Sequence, residues 1–330
     1  MNTLEKVLMG CALGDSLGLP YEGLSRKKVS RMLKGQLKQS LIFGKGMLSD
    51  DTEHSIFVIR SFKSSCKPLD FSRKMRTHLR LWLLSVPPGI GFGTLKSILK
   101  MWLFLKNTSV KSAGNGPLMR TAVLAVLLKD RPDELEEYVK ANTYLTHADE
   151  RAYETALVFS RLVLKNIDKG FLEVEDLKEV SGNIQNAEFE AALCKLSKAF
   201  ETGLSPDEYI IETGLEKGVT GYCIHTFCAA VYASLYFKND FEKIIYWCIS
   251  CGGDTDSVAA VAGALAAASD RCELPENLIS NIKDWPFSKK YIKNVSTQSN
   301  KLSFPAVKML IRNIFFVPLI LFLAVIRGYK

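Results

Sequence analysis

Two short clusters of oxygen-bearing side chains stand out from an apolar-rich chain. Ser49-Asp50-Asp51-Thr52 follows Gly44-Lys45-Gly46 and opens an apolar helical pattern, and Gly252-Gly253-Asp254-Thr255-Asp256-Ser257 opens a second, alanine-rich one. Carboxylates and hydroxyls at a helix start have an ordinary role: they accept from orphan N–H groups of the first turn and complement the dipole. One acceptor meets that need, whereas each cluster supplies two carboxylates with hydroxyls beside them. Hard divalent cations want several oxygens, and Mg2+ keeps waters while taking only a few protein ligands. Successive residues at a helix start point in different directions. Asp50 and Asp51 could therefore serve two metals, with Asp254 and Asp256 bridging or completing them. The diglycine lets backbone approach where a side chain would block it. A two-metal centre of this kind activates water and holds substrate oxygens.

Other chemistries fit these residues less well. An EF-hand would need glycine where Ala259 stands and a bidentate glutamate where Leu265 stands. A phosphatase-type nucleophile matches Asp254-Thr255-Asp256-Ser257-Val258, but that motif follows a core strand near the start of a parallel α/β domain, and here a helical pattern precedes it. Cys223, Cys228, Cys248 and Cys251 have tolerable spacing for zinc, yet they sit in apolar helical patterns without knuckle turns and read as buried thiols. A third constellation, Ser112-Ala113-Gly114-Asn115-Gly116-Pro117 leading into Leu118-Met119-Arg120, offers backbone N–H groups and a helix start to a phosphate. It is neither a Walker A loop nor a dinucleotide fingerprint.

The elements that must position these groups read as helices throughout. Leu4, Val7, Leu8, Cys11 and Ala12 fall at helical spacing behind Thr3 as a cap. Similar patterns run through Ser55–Phe62, Thr121–Leu128, Ala148–Leu164, Ala187–Phe200, Thr220–Phe237, Phe241–Cys248 and Ser257–Ala268. Alternating β-branched runs are nearly absent, so the expected class is all-α, one compact domain over residues 1–300 with turns at Ser181–Asn183 and Gly203–Pro206. With 47% hydrophobic and 24% charged residues the composition excludes disorder and coiled coil.

The net charge of +8 suits an anionic ligand. The interval Arg26–Lys45 holds seven Lys/Arg and no acid, but with Phe43 as its lone aromatic it reads as a solvated face, and nucleic acid is not expected as a partner. Eight irregularly spaced cysteines and a start carrying Glu5 and Lys6 suggest a reduced, cytoplasmic protein. The apolar stretch Asn313–Ile326, bracketed by Arg312 and Arg327 and interrupted by Pro318, would make about 21 Å of helix, short of the roughly 30 Å hydrocarbon core. Residues 301–330 are therefore expected to form a closing helix docked on the body, with peripheral membrane or protein contact as the alternative.

Taken together, the motifs resemble the ADP-ribosylglycohydrolase family. Gly14-Asp15-Ser16-Leu17-Gly18-Leu19-Pro20-Tyr21-Glu22 is similar to its opening G-D-A-x-G-x-P-x-E, and Ser49–Thr52 to T-D-D-T. Gly114–Arg120 is similar to G-N-G-x-x-M-R, Thr146-His147 to a Thr-His pair, and Gly252–Ser257 to G-G-D-T-D-T. Pro87-Pro88-Gly89-Ile90-Gly91 and the apolar tail resemble a bacterial-type branch. The resemblance implies an all-α fold around two Mg2+ (or Mn2+), and hydrolysis of the bond joining ADP-ribose to a protein side chain or related acceptor.

Residue by residue, it implies Ser49, Asp50, Asp51, Asp254, Asp256 and Ser257 as metal ligands, with Thr52 orienting them. Glu22, Asp51 and Asp256 become the catalytic groups. Ser112, Gly114, Asn115, Gly116 and His147 would bind substrate, with Tyr222 near the adenosine. Serine replaces the usual threonine at Ser49 and Ser257, which removes a rotamer-restricting methyl and implies weaker metal binding. Asp15 is equally suited to bracing a turn and to touching substrate, and Arg120 is expected to pair with a buried acid. Two other functions share these residues: a catalytically silent ADP-ribose- or protein-binding module, and a metal-dependent phosphoester hydrolase working through Asp254.

Overall fold

The computed structural model describes residues 1–42, 44–63, 66–298 and 303–328. Phe43, and the side chain of Arg327 at the end of the tail, lie outside the described residues. The chain is all-α: among the described residues, β pairing is limited to isolated bridges such as Gly114 with Tyr222 and Val219 with Gly253. Eight helices build the site and the tail: α1 (Thr3–Gly18), α2 (Asp50–Ser61), α3 (Pro68–Leu83), α4 (Glu150–Lys169), α5 (Cys223–Phe237), α6 (Phe241–Ser250), α7 (Thr255–Ala268) and α8 (Ala306–Gly328). The periodic segments of the sequence all become helices. Asn2, not Thr3, caps the first, its Oδ1 accepting from Glu5 N–H at 2.8 Å.

α7 is the centre of the molecule. Every residue from Thr255 to Ala268 is buried, which is what an alanine-rich helix that is apolar all round requires. α1 lies against it backbone to backbone. Gly10, Gly14 and Gly18 recur at i+4 and face Gly263, Ala259 and Thr255 in turn. A Cβ at Gly14 would stand 2.0 Å from the Ala259 carbonyl oxygen. This flat row fixes the register of the two helices, and it carries Asp15, next to Gly14, to the start of α7 where Asp256 stands. α4, α5 and α6 pack around the other sides of α7, and α2 lies across α1.

Cys223, Cys228, Cys248 and Cys251 are all buried free thiols, and burial pushes each thiol up. The only grouping of potential metal ligands among the described residues is acidic, so zinc is set aside. A helix, α6, precedes Asp254, and among the described residues there is no strand of the kind that an aspartyl-phosphate nucleophile would follow.

Candidate active site

The two acidic helix starts, some two hundred positions apart in the chain, meet. Carboxylate oxygens of Asp15, Asp51 and Asp256 lie within 4.8 Å of one another, and all three residues are buried. The contact between the clusters is direct: Ser49 Oγ donates to Asp51 Oδ2 at 3.1 Å, and Ser257 Oγ donates to the same oxygen at 3.3 Å. Asp51 Oδ1 and Asp256 Oδ1 are buried with no hydrogen-bond partner. A buried carboxylate oxygen in that state costs free energy unless something positive reaches it.

Helix capping does not account for the Asp50 and Asp51 carboxylates, because Ser49 Oγ, accepting from Asp51 N–H at 3.4 Å, shares that task with Asp15. Its carboxylate accepts from Ser49 N–H at 3.0 Å and Thr52 N–H at 3.3 Å, and Thr52 Oγ1 donates to it at 2.5 Å. Asp15 therefore braces the turn that starts α2, and Thr52 fastens it from the other side. With the orphan donors served by Asp15 and Ser49, Asp50 is left to line the cleft and the Asp51 carboxylate to face Asp15 and Asp256.

Two positive-φ glycines build the other corner. Gly252 and Gly253 have φ of 71° and 82°, a region where only glycine is at ease, and a Cβ on Gly253 would stand 2.0 Å from Val219 O. The tight turn lets Gly253 N–H donate to Leu24 O and accept, through its own carbonyl, from Gly23 N–H, both at 2.8 Å. Asp254 N–H donates to Val219 O at 2.7 Å. The loop carrying Glu22 is thereby tied to the loop carrying Asp254. Asn115 Nδ2 donates to Asp254 Oδ2 at 2.7 Å and to Thr226 Oγ1 at 3.0 Å, which orients that carboxylate.

These pieces surround a cleft of about 770 Å³. Its walls include Glu22, Asp50, Asp254, Asp256, Ser257, Ser112, Gly114, Asn115, Gly116 and His147. Ser49 and Asp51 sit one layer beneath the floor. Tyr222 turns away: its hydroxyl donates to Glu188 at 2.6 Å and accepts from Arg151 at 3.3 Å, and its ring lines a separate pocket with Glu188 and His225. Phe92 and Lys217 also line the main cleft, and no spacing in the sequence pointed to either.

The electrostatics are one-sided. Burial first, and neighbouring carboxylates next, raise Asp51 and Asp256 well above the carboxylate range. Asp50 moves the same way, from burial and then Glu22. Burial also raises Asp254, with Asn115 opposing. Glu22, at the exposed mouth but with its carboxyl inside the cleft, is pushed up to about 7 by lost hydration, then by Asp254 and Asp15. Asp15 rises to about 7 through burial, against the pull of its Thr52 and Ser49 donors. Among the described residues, no Lys or Arg forms an ion pair with any of these six carboxyl groups. The set of oxygens, their burial and their unpartnered lone pairs fit hard divalent cations.

The part of the wall formed by the Ser112–Gly116 loop and His147 is neutral. His147 Nδ1 lies 2.8 Å from Thr146 Oγ1, and burial followed by the field of Arg120 pulls the imidazole down to about 3, so the ring stays neutral. Its Nε2 edge abuts Gly114, and a Cβ there would stand 3.1 Å away. Arg120 is not the ion pair expected from the sequence. It donates to Asn142 Oδ1 and O and to Thr146 Oγ1, each at 2.9 Å, and to His54 Nδ1 at 3.4 Å. Burial brings it down to about 9, with Asp50 opposing. Amide and hydroxyl oxygens satisfy its donors, and Asp50 acts on the cation through its field without a direct ion pair.

A family model described as ADP-ribosylglycohydrolase matches residues 2–303. An uncharacterised protein of Archaeoglobus fulgidus is 26% identical over 311 residues, spanning 92% of this chain and 97% of the relative. ADP-ribosylhydrolase ARH3 of Gallus gallus is 24% identical across 79% of this chain and 83% of its own length. The ADP-ribosyl-dinitrogen reductase glycohydrolase of Rhodospirillum rubrum is 25% identical across the same shares. A solved structure named ADP-ribosylglycohydrolase-related protein complex superposes with a TM-score of 0.60 at 22% identity, covering 92% of this chain and 98% of that one. At that identity the likeness is one of fold.

Proposed function

The chain belongs to the ADP-ribosylglycohydrolase family, a family of glycosidic-bond hydrolases, and from that premise we propose that it cleaves ADP-ribose from a protein side chain or related conjugate at a two-metal centre. The observation that carries the proposal is the pair of buried, unpartnered oxygens on Asp51 and Asp256 at a cleft that the Ser112–Gly116 loop also lines. Asp51 and Asp256, completed by Ser49, Asp50, Asp254 and Ser257, would hold two Mg2+ (or Mn2+). Bound there, such cations supply polarisation of sugar oxygens and a lowered pKa for water.

The chain's own residues do the rest. Glycosidic cleavage develops positive charge on the sugar, and an acid-lined floor suits that charge. Glu22, whose carboxyl lines the cleft beside Asp254 and rises to about 7 in the metal-free protein, is placed to exchange a proton with water or the leaving group. Asn115 keeps Asp254 aimed and leaves Asp256 to face Asp51. The Ser112–Gly116 loop and neutral His147 would receive the pyrophosphate, with Asn115 bridging from that loop to Asp254 and Lys217 as a cationic residue of the cleft lining. Tyr222, its hydroxyl held by Glu188 beside the cleft residue Gly221, would meet the adenosine with its ring.

The test is release of ADP-ribose from arginine-linked, serine-linked and small-molecule conjugates, with and without Mg2+. Turnover that requires the metal and disappears in Asp256→Asn supports the proposal. Binding of ADP-ribose without turnover of any conjugate would replace it with the silent-binder reading, and phosphate release would replace it with a phosphoester hydrolase.

A further inference from the structure

The closing helix is built inside out. In α8 the polar side chains Arg312 and Asn313 point into the protein beside Met309 and Phe316. Arg312 bonds Asp284 at 3.1 Å and also Glu53, and Asn313 Nδ2 donates to Ser85 O at 2.8 Å. Facing outward are Val307, Ile311, Ile314, Phe315 and Phe322, with Phe315 75% exposed and Phe322 60%. At 100° per residue these five fall in a stripe about 100° wide, opposite the buried face. Pro318 is exposed within the same stripe. A helix that docks on a protein in water shows the reverse order. The surface beside it is also apolar: Leu84 and Val86 flank Ser85, Trp285 follows Asp284, and all three are exposed.

Charge identifies what covers this face. Residues 285–330 contain Lys289, Lys290, Lys293, Lys301, Lys308, Arg312, Arg327 and Lys330 and no Asp or Glu, so these eight account for the whole chain's excess of +8. The rest of the chain is balanced. A second copy seated on this face would bring two such acid-free segments together, against Coulomb repulsion. No helix, among the described residues, is long and apolar enough to cross a membrane.

We propose that the outer stripe of α8 lies in the plane of an anionic lipid surface, with exposed Lys290, Lys293 and Lys308 meeting the headgroups. Apolar burial and attraction to anionic lipid are the two components of such binding. The site chemistry plays no part in this inference, which stands or falls apart from the hydrolase reading.

The test is flotation of the full chain with vesicles of phosphatidylcholine alone or with about one-third phosphatidylglycerol, at low and high salt. The expected result is binding at least about tenfold stronger to the anionic vesicles, weakened by salt. Phe315→Asp should lose binding to both vesicle types with thermal stability unchanged, since that ring touches little. Lys290→Glu with Lys293→Glu, on the separate Lys289–Gln298 helix, should erase the preference for anionic lipid and leave the stripe intact. A chain that stays unbound to both vesicles overturns the proposal. So does a defined oligomer dissociated by Phe315→Asp, which would seat a second copy on the face, and so does lipid binding indifferent to both variants.

Discussion

Asp51 and Glu53 stand two residues apart on α2, both fully buried, and are treated in opposite ways. Glu53 accepts from Trp82 Nε1–H at 2.5 Å and pairs with Arg312, which also holds Asp284; Asp284 in turn accepts from Leu48 N–H at 3.1 Å. Its charge is answered within the fold. Asp51 faces Asp15 and Asp256, has one oxygen with no partner, and has no cation beside it. A structural acid is given its own cation, whereas a set of acids left to repel one another is arranged for cations that come from outside. The unlike treatment of two neighbours on one helix makes the acidity of the cleft a feature of the site rather than of the fold.

The largest expected effect is on the compensated side. Arg312→Met leaves Glu53 and Asp284 buried without a cation and should cost about 3–5 kcal/mol of stability, measured by urea unfolding. Asp51→Asn should do the opposite in metal-free protein. It removes repulsion and should raise stability by on the order of 1 kcal/mol, while Mg2+-dependent turnover falls by at least about a hundredfold. If both substitutions destabilise alike, the two sites do not differ in kind.

A more graded difference is expected with pH. The cleft carboxyls are raised in the folded state, Asp15 and Glu22 to about 7 from ordinary values of 3.8 and 4.5. The folded protein therefore binds more protons than the unfolded chain across that window. Their contribution to stability is full below about pH 4 and is lost as pH rises towards 7 and beyond. Metal-free protein should lose melting temperature across this range, and saturating Mg2+ should flatten the profile, because bound cations keep the carboxylates ionised. A profile unchanged by Mg2+ would count against a cation in the cleft.

How much of the molecule is legible in its sequence depends on the range of the interactions. Helical spacing is local, and the all-α fold is plain from Leu4, Val7, Leu8 and their counterparts. The acidic clusters and the glycine loop are legible because each is a short run whose composition exceeds what capping needs. Pairings across the chain escape. Gly10, Gly14 and Gly18 stand one turn apart, but only the fold shows that α7 packs on them, so Asp15 could not be placed beside Asp256. Arg312 and Glu53 lie 259 positions apart, and an apolar tail gives no hint that its few polar residues turn inward. Arg120 escapes for another reason: charge suggests an ion pair, and only the fold reveals that neutral oxygens satisfy it. Tyr222 rests on a loose motif, and the structure ties it to Glu188 and Arg151.

The smallest effect concerns the two serines that converge on Asp51 Oδ2. Ser49→Thr with Ser257→Thr restores the methyl that limits each hydroxyl's rotamer, and Mg2+ affinity by calorimetry should tighten severalfold, by about 0.5–1 kcal/mol. The compensated Glu53 site should be untouched, with unfolding in the absence of metal unchanged.

The most direct measurement is anomalous diffraction from crystals soaked in Mn2+. Peaks are expected between the two acidic helix starts, with Asp51 and Asp256 oxygens at about the 2.1 Å of hard-cation coordination, and none beside Glu53 and Asp284. Manganese bound elsewhere, or a cleft without a peak at saturating Mn2+, would contradict the claim that these uncompensated acids exist to hold metal.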